Sequence, residues 1–527
     1  MPRWLCFLLA SLLAGQGLDR IQISDLRRDL TYLSSDALEG RLSLTPGSEA
    51  AIRWIRNEFL KAGLKTSGQP VPLWEFRSDH NAGFLKIRQA GKEEVFRAPE
   101  ASGQYPERVD LSAAVVFAGF GITAPELGYD DYEGMDAKGK IVVVFDHEPQ
   151  ETDPRSIFNG RGNTRYATIR VKALNAQAHG ALAVLLAPEP NRTHLTNQER
   201  IAKIGSPQQR NTRIPSEAII GDELHIPYMN ISDTVAARLL GTPGELQKEI
   251  DRTLKPASRE VPATTVTLHL ENSAAQRKRS LNVAGLLEGS DPRLRAETIV
   301  LSAHFDHDGA DGARIWHGAD DNGSGTVGVV ELARAFASNT TRPKRSILFI
   351  SVTSEEQGLL GSEYYAKHPA FPLAKTVANI NMDMMGIAGK TKDIVVYGFG
   401  QSELEDYASE AAKKQGRVIV PDPVPSSGLY YRSDHFNLAK VGVPSLFTGS
   451  GVDNIKNGRA WGLKQVADFT KFRYHSPQDN FDAKTWDLSG IVEDVRMLFD
   501  MGYRISNEDS YPKWKNGSEF KAVREKK

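Results

Sequence analysis

The chain has 527 residues, of which 40% are hydrophobic and 25% charged, and a formal net charge of −1. That length allows two or three compact domains with separate cores, and the composition is that of soluble globular protein. A near-neutral balance gives no indication of a nucleic-acid groove or a polybasic membrane surface. The basic tail, Lys521 to Lys527, is too short to change this and reads as a frayed terminus.

Arg3 precedes an apolar run from Trp4 to Ala14, and the small residues Gly15 and Gly17 follow. A basic start, a short apolar stretch and small residues at its end predict a secretory signal peptide over residues 1–17. The expected destination is the bacterial envelope or the exterior. The run is too short to cross a bilayer comfortably, so no stable membrane span is expected once it is removed. Cys6, the single cysteine, lies inside this run. The mature chain then has no disulfide, and any metal must be held through nitrogen and oxygen.

Two helices are predicted between Ile23 and Leu64; the second carries Ala51, Ile52, Ile55, Phe59 and Leu60 at helical spacing and stops at Gly63. Trp74 to Phe96 alternates and reads as strand. A separable unit extends from about Val109 to Pro262. It contains strands at Ala114–Phe120, Ile141–Phe145 and Ala181–Ala187, helices near Tyr166–His179 and Thr234–Leu240, and an apolar stretch from Ile226 to Ser232.

From about Thr264 to Asn507, apolar strands alternate with helices. Strands are expected at Thr298–Ala303, Ser346–Thr353, Val377–Met382, Ile394–Tyr397 and Pro444–Thr448, and helices near Gly325–Ala337, Ser362–Lys367, Leu404–Lys414 and Leu488–Tyr503. This order predicts an α/β fold with a mixed, largely parallel sheet flanked by helices. Ligands in such sheets sit beyond the carboxyl ends of the strands.

Three of those ends carry metal-ligating residue types: His304-Phe305-Asp306-His307-Asp308, Ser354-Glu355-Glu356 and Asp383. Gly318 to Gly325 adds Asp320-Asp321-Asn322 ahead of a helix, and Tyr474-His475-Ser476 lies in a late loop. Alone, Asp320 to Gly323 suits an ordinary turn and helix cap, and paired glutamates suit a solvated face. A cap or a surface loop does not explain all of these residues following three separate apolar strands.

The donor set suits zinc, which takes imidazole nitrogen and carboxylate oxygen and leaves a position open for water. Two ions are satisfied if Asp320 bridges them, with His304 and Asp383 on one and Glu356 and His475 on the other. Three carboxylates against two divalent ions leave one positive charge, which a hydroxide between them would neutralise. Neighbouring side chains on extended backbone point opposite ways, so Glu355 is free to act as general base on that water. The ions would acidify the water and polarise the carbonyl. Asp306 is expected to accept the imidazole N–H of His304. His307, Asp308, His317 and His435 are read as loop residues.

Together, His304-Phe305-Asp306, Gly318 to Asn322, Glu355-Glu356, Asn381-Met382-Asp383 and Tyr474-His475-Ser476 resemble the ordered motifs of the co-catalytic zinc exopeptidases. That family includes secreted bacterial aminopeptidases and glutamate carboxypeptidase. The resemblance covers nearly the whole mature chain. Its middle unit is similar to a protease-associated domain, expected to be β-rich, and Glu39-Gly40-Arg41 is similar to the bacterial branch. The implied divisions are 18–108 and 263–510 for the peptidase domain, 109–262 for the insert and 511–527 for the tail.

The resemblance also implies Asp320 as bridging ligand, a cis peptide between Asp320 and Asp321, and Tyr474 as donor to the tetrahedral oxyanion. Arg432-Ser433-Asp434-His435 resembles a recurrent segment near the substrate pocket. The implied activity is aminopeptidase hydrolysis of peptides at two Zn2+ per chain, with the insert forming a wall or lid of the cleft. A carboxypeptidase or dipeptidase, a glutaminyl cyclase and a non-catalytic binding protein are the alternatives. Nothing in the sequence specifies an oligomeric state.

Overall fold

The structure, a computed structural model, describes residues 15–192, 224–312 and 314–525. The first fourteen residues of the expected signal peptide lie outside these. Gly15–Arg20 forms a short helix, α1. Gly17 is buried there, and a Cβ in its place would lie 2.4 Å from the Phe499 ring.

The two predicted N-terminal helices are α2, Ile23–Leu33, and α3, Pro46–Lys61. Thr45 caps α3 with its side chain and Pro46 opens it. Leu60, expected on the buried stripe, is 50% exposed. Glu58 is buried instead, where it pairs with Arg334.

Among the described residues, fourteen strands form one sheet. Those preceding the insert are β1 (Lys65–Gln89), β2 (Lys92–Phe96) and β3 (Ala101–Gln104). The insert holds β4 (Val109–Phe117), β5 (Ile141–Phe145), helix α4 (Ile169–Ala178), β6 (Ala183–Ala187), β7 (Tyr228–Ile231) and helices α5 (Asp233–Leu240) and α6 (Pro243–Thr253). Strands β4 to β7 run parallel in sequence order and pack into an apolar core that also takes Leu85 and Ile87 of β1 and Phe96 of β2. The 29-residue strand β8, Arg259–Leu287, joins the two halves: Leu270 to Thr265 pairs with β4, and Val283 to Leu287 pairs with the other half of the sheet.

That other half contains β9 (Thr298–His304), helix α7 (Gly325–Ser338), β10 (Ser346–Val352), helix α8 (Leu360–Lys367) and β11 (Thr376–Met382). It continues through β12 (Asp393–Tyr397), α9 (Leu404–Lys414), β13 (Val418–Pro421), α10 (His435–Lys440), β14 (Ser445–Ser450), α11 (Gly458–Asp468) and α12 (Ser489–Asn507). Every residue of β9, β10 and β11 is buried, as expected of parallel strands covered on both faces. β10 and β11 flank β9 in parallel, and β14 extends the parallel set beyond β11. The carboxyl ends of these strands therefore open at one edge. The Thr326 hydroxyl at the start of α7 donates to the His304 carbonyl, 2.7 Å, tying that helix to the end of β9.

Candidate metal centre

His304, the last residue of β9, turns its Nε2 toward Asp321 Oδ1 at 3.5 Å and Asp383 Oδ1 at 3.4 Å. His475, from the loop ahead of α12, places Nε2 3.5 Å from Asp321 Oδ2 and 3.3 Å from Glu356 Oε2. Two sets of three ligand atoms thus share one carboxylate, each oxygen of Asp321 facing a different histidine. Atoms held about 2.1 Å from a tetrahedral zinc lie about 3.4 Å apart, so each of these histidine–carboxylate distances suits two ligands of one ion. His304 Nε2 and Asp383 Oδ1 are buried and make no hydrogen bond, an expensive state for polar atoms that a cation relieves.

The shared aspartate is Asp321, where the sequence suggested Asp320. The backbone leaves helical geometry at Asp321 and Asn322, with φ of −104° and −125°, and this turns the Asp321 side chain toward the histidines. The cis bond likewise lies one residue later than expected, between Asp321 and Asn322. Asn322 locks the turn, since its side chain donates to the Met382 carbonyl at 2.9 Å and accepts from Gly325 N–H at 2.8 Å. The Asp320 carboxyl is buried outside both sets, and burial together with nearby Asp479 raises its pKa to about 7.

Glu355 and Glu356 diverge as expected, for a different reason. Ser354 adopts φ 58°, so the pair sits in a turn after β10 and not on extended strand. Asp306 holds this turn: its two carboxylate oxygens accept the N–H groups of Glu355 at 3.1 Å and Glu356 at 3.4 Å. The expected bond from His304 to the Asp306 carboxylate is replaced by a closer approach of Nδ1 to the Asp306 backbone carbonyl, 3.2 Å against 3.9 Å. Glu355 Oε2 stands 3.9 Å from His304 Nε2 and clusters there with Asp383, at the edge of the ligand atoms.

His307 and Asp308, read from the sequence as loop residues, belong to the centre. His307 is fully buried, with Nδ1 2.6 Å from Glu356 Oε1, which leaves Glu356 Oε2 for the ligand position. Asp308 Oδ2 lies 3.0 Å from His475 Nδ1 and fixes which nitrogen of that ring turns inward. Asp383 is steadied by the Ser433 hydroxyl, which donates to Oδ2 at 2.6 Å. The adjacency of these residues to His304 was the available signal. His317 contacts Asp36 instead, and His435 is buried against the Tyr430 and Phe447 rings.

The electrostatics are those of a site that accommodates cations. Burial raises the Glu355 carboxyl well above the ordinary range, and the negative charges of Glu356, Asp434 and Asp383 push it the same way. Burial opposes protonation of His304, but Glu355, Asp383 and Asp321 outweigh it and raise the imidazole. Asp321, despite burial, is lowered to about 2 by the surrounding histidines.

Outside the ligand atoms the cleft is lined by Met384, Leu429, Phe447, Arg432 and Tyr474. Arg432 Nη2 donates to the Tyr474 hydroxyl at 2.9 Å. Among the described residues no part of the insert lines this cleft. The insert contacts elements next to the cleft: the Tyr431 hydroxyl donates to the Asn163 carbonyl at 2.9 Å, and Arg170 pairs with Glu363 at 2.8 Å.

Residues 282–499 match Peptidase family M28, and residues 111–239 match the PA domain. The chain is 26% identical to Aminopeptidase YwaD of Bacillus subtilis (strain 168) over 476 residues, covering 88% of this chain and 83% of that protein. Over 299 residues it is 28% identical to a probable glutamate carboxypeptidase of Arthroderma benhamiae (strain ATCC MYA-4681 / CBS 112371), covering 52% of this chain and 37% of that protein. The solved aminopeptidase from Aneurinibacillus sp. strain AM-1 shares the fold, with a TM-score of 0.54 at 17% identity over 94% of this chain and 97% of that one.

Proposed function

Since the chain is a zinc metallopeptidase of family M28 with an inserted PA domain, we propose that it is an exported aminopeptidase with two zinc ions per chain. The observation that carries this reading is the pair of histidine–carboxylate sets, with spacings of 3.3 to 3.5 Å, joined through Asp321. His304, Asp321 and Asp383 would hold one ion, and His475, Asp321 and Glu356 would hold the other. Bound zinc supplies Lewis acidity and brings the pKa of water toward neutrality.

The remaining chemistry belongs to side chains of the chain. Glu355 takes the proton of the attacking water and delivers it to the departing amine, the task of a general base and then a general acid. Tyr474, oriented by Arg432, donates to the oxygen that gains charge as the carbonyl becomes tetrahedral. Met384, Leu429 and Phe447 offer an apolar wall to the first side chain of the peptide. The surrounding carboxylates favour a substrate that presents a free ammonium group. Export rests on the basic, apolar and small-residue order of the first seventeen residues. Among the described residues no helix is long and apolar enough to cross a membrane.

Arg432 at the cleft supports one other reading, a carboxypeptidase that pairs this guanidinium with a substrate carboxylate. Peptides blocked at one end or the other separate the two. With zinc-loaded protein, N-acetylation should abolish release of free amino acid while C-terminal amidation should leave it intact. The opposite pattern would establish the carboxypeptidase. A metal content well below two per chain would refute the two-zinc proposal.

A further inference from the structure

The loops that carry His304 and Asp321 are gripped by two groups that touch no ligand atom. The first is Arg41, whose side chain is fully buried. It is delivered by a left-handed turn in which Glu39, Gly40 and Arg41 have φ of 45°, 67° and 53°. Side chains other than glycine resist this conformation, so its use at Glu39 and Arg41 needs support from the surrounding structure. At Gly40 a side chain is also excluded by space: a Cβ would lie 2.3 Å from the Trp316 carbonyl oxygen and 2.4 Å from that of Gly309.

From this turn the guanidinium reaches four backbone carbonyls. Nε donates to Phe305 at 2.7 Å, Nη1 to Leu33 at 2.5 Å and His317 at 2.6 Å, and Nη2 to Gly318 at 2.8 Å. Phe305 follows His304, and His317 and Gly318 open the loop that ends at Asp321. One rigid planar fork therefore sets the distance between the two ligand loops. A lysine would keep the charge but not the fork.

The second group is Asp479, fully buried four residues beyond His475. Its carboxylate accepts the N–H groups of Asp320 at 3.1 Å and Asp321 at 3.0 Å, and its backbone carbonyl accepts that of Ala319 at 3.0 Å. It links the loop of the shared aspartate to the segment of the second histidine. Arg41 takes the carbonyls of residues 317 and 318, and Asp479 takes the amides of residues 319 to 321, so the loop is held on both sides of its backbone.

We propose that Arg41 and Asp479 are positioning residues of the metal centre, clamping the backbone of the ligand loops so that the two histidines and Asp321 already meet before an ion arrives. The inference rests on the two-zinc reading and adds to it the residues that pre-set the site. A side chain that merely filled the core would affect folding without affecting the zinc equilibrium, whereas these two affect the zinc equilibrium as well.

The test uses the full chain and compares Arg41→Lys and Asp479→Asn with Arg345→Lys, a matched buried arginine that holds Glu297, Ile505 and Glu508 away from the centre. Zinc affinity is read by competition with a chelator, the coordination by the visible spectrum of the cobalt-substituted protein, and folding by the melting temperature of the metal-free form. The expected result is a loss of zinc affinity of about 10- to 100-fold for Arg41→Lys and Asp479→Asn, with an altered cobalt spectrum. Arg345→Lys should lower the melting temperature and leave affinity and spectrum unchanged. If Arg41→Lys does not fold, Asp479→Asn decides by the same measurements. Unchanged affinity in the folded variants, or an equal loss in Arg345→Lys, would overturn the positioning role while wild-type zinc binding stands. Failure of the wild type itself to bind zinc would overturn the two-zinc reading and this inference with it.

Discussion

Asp320 and Asp321 are chemically identical neighbours, and replacing each with asparagine isolates what side-chain direction contributes. Asp321→Asn removes a negative charge from between His304 and His475 and turns one of two oxygens, each 3.5 Å from a histidine Nε2, into a donor that cannot ligate. One set of three ligand atoms drops to two. Losing a partner that only orients a ligand costs 10- to 100-fold in metal affinity, so loss of a ligand atom with its charge should cost at least about 100-fold, or ~2.8 kcal/mol. Asp320→Asn leaves both sets intact and should change zinc affinity by less than about fivefold. Chelator competition on the purified full chain, followed by turnover at saturating zinc, measures both. If the Asp320 variant loses zinc while the Asp321 variant keeps it, the geometric assignment is wrong and the reading made from sequence order is restored.

Further expectations follow from the same geometry. Glu355→Gln preserves the backbone N–H held by Asp306, so it should keep its zinc while kcat falls by about 10²- to 10⁴-fold, or ~3–5 kcal/mol of barrier; near-normal turnover would remove Glu355 from the proton transfer. Tyr474→Phe should lower kcat by about 10²- to 10³-fold with little change in KM, and an effect confined to KM would make it a binding residue only. Dialysis against a chelator should abolish peptide hydrolysis and added zinc should restore it; activity persisting without metal would contradict the mechanism.

The acid side of the stability curve has a separate source in His435. Burial depresses its pKa to about 3. The unfolded chain therefore binds a proton between about pH 6.5 and pH 3 that the folded chain refuses. The stabilising difference is complete above about pH 6.5 and is lost at ~1.4 kcal/mol per unit as pH falls through that window. His435→Phe should flatten the melting-temperature profile between pH 4 and 6.5, and an unchanged slope would show that other groups set it.

Much of this molecule is legible from residue order alone. Apolar runs such as Ile347 to Ile350, within a strand buried from end to end, can be satisfied only inside a sheet covered on both faces, so the parallel core and the edge where its ligands gather follow from the sequence. Histidine and carboxylates at several strand ends indicate the chemistry, because few other arrangements would collect them there. Sequence order could not choose between Asp320 and Asp321, since adjacent identical residues differ only in the direction the backbone gives them. His307 and Asp308 were visible as candidates, but their bonds to Glu356 and His475 span 49 and 167 positions and exist only after the sheet has assembled. Arg41 left a fainter trace. Its function depends on a left-handed turn and on carbonyls more than 260 residues away. Local preference writes strands and helices into the chain, whereas the aim of a side chain is set by contacts that come from the other end of it.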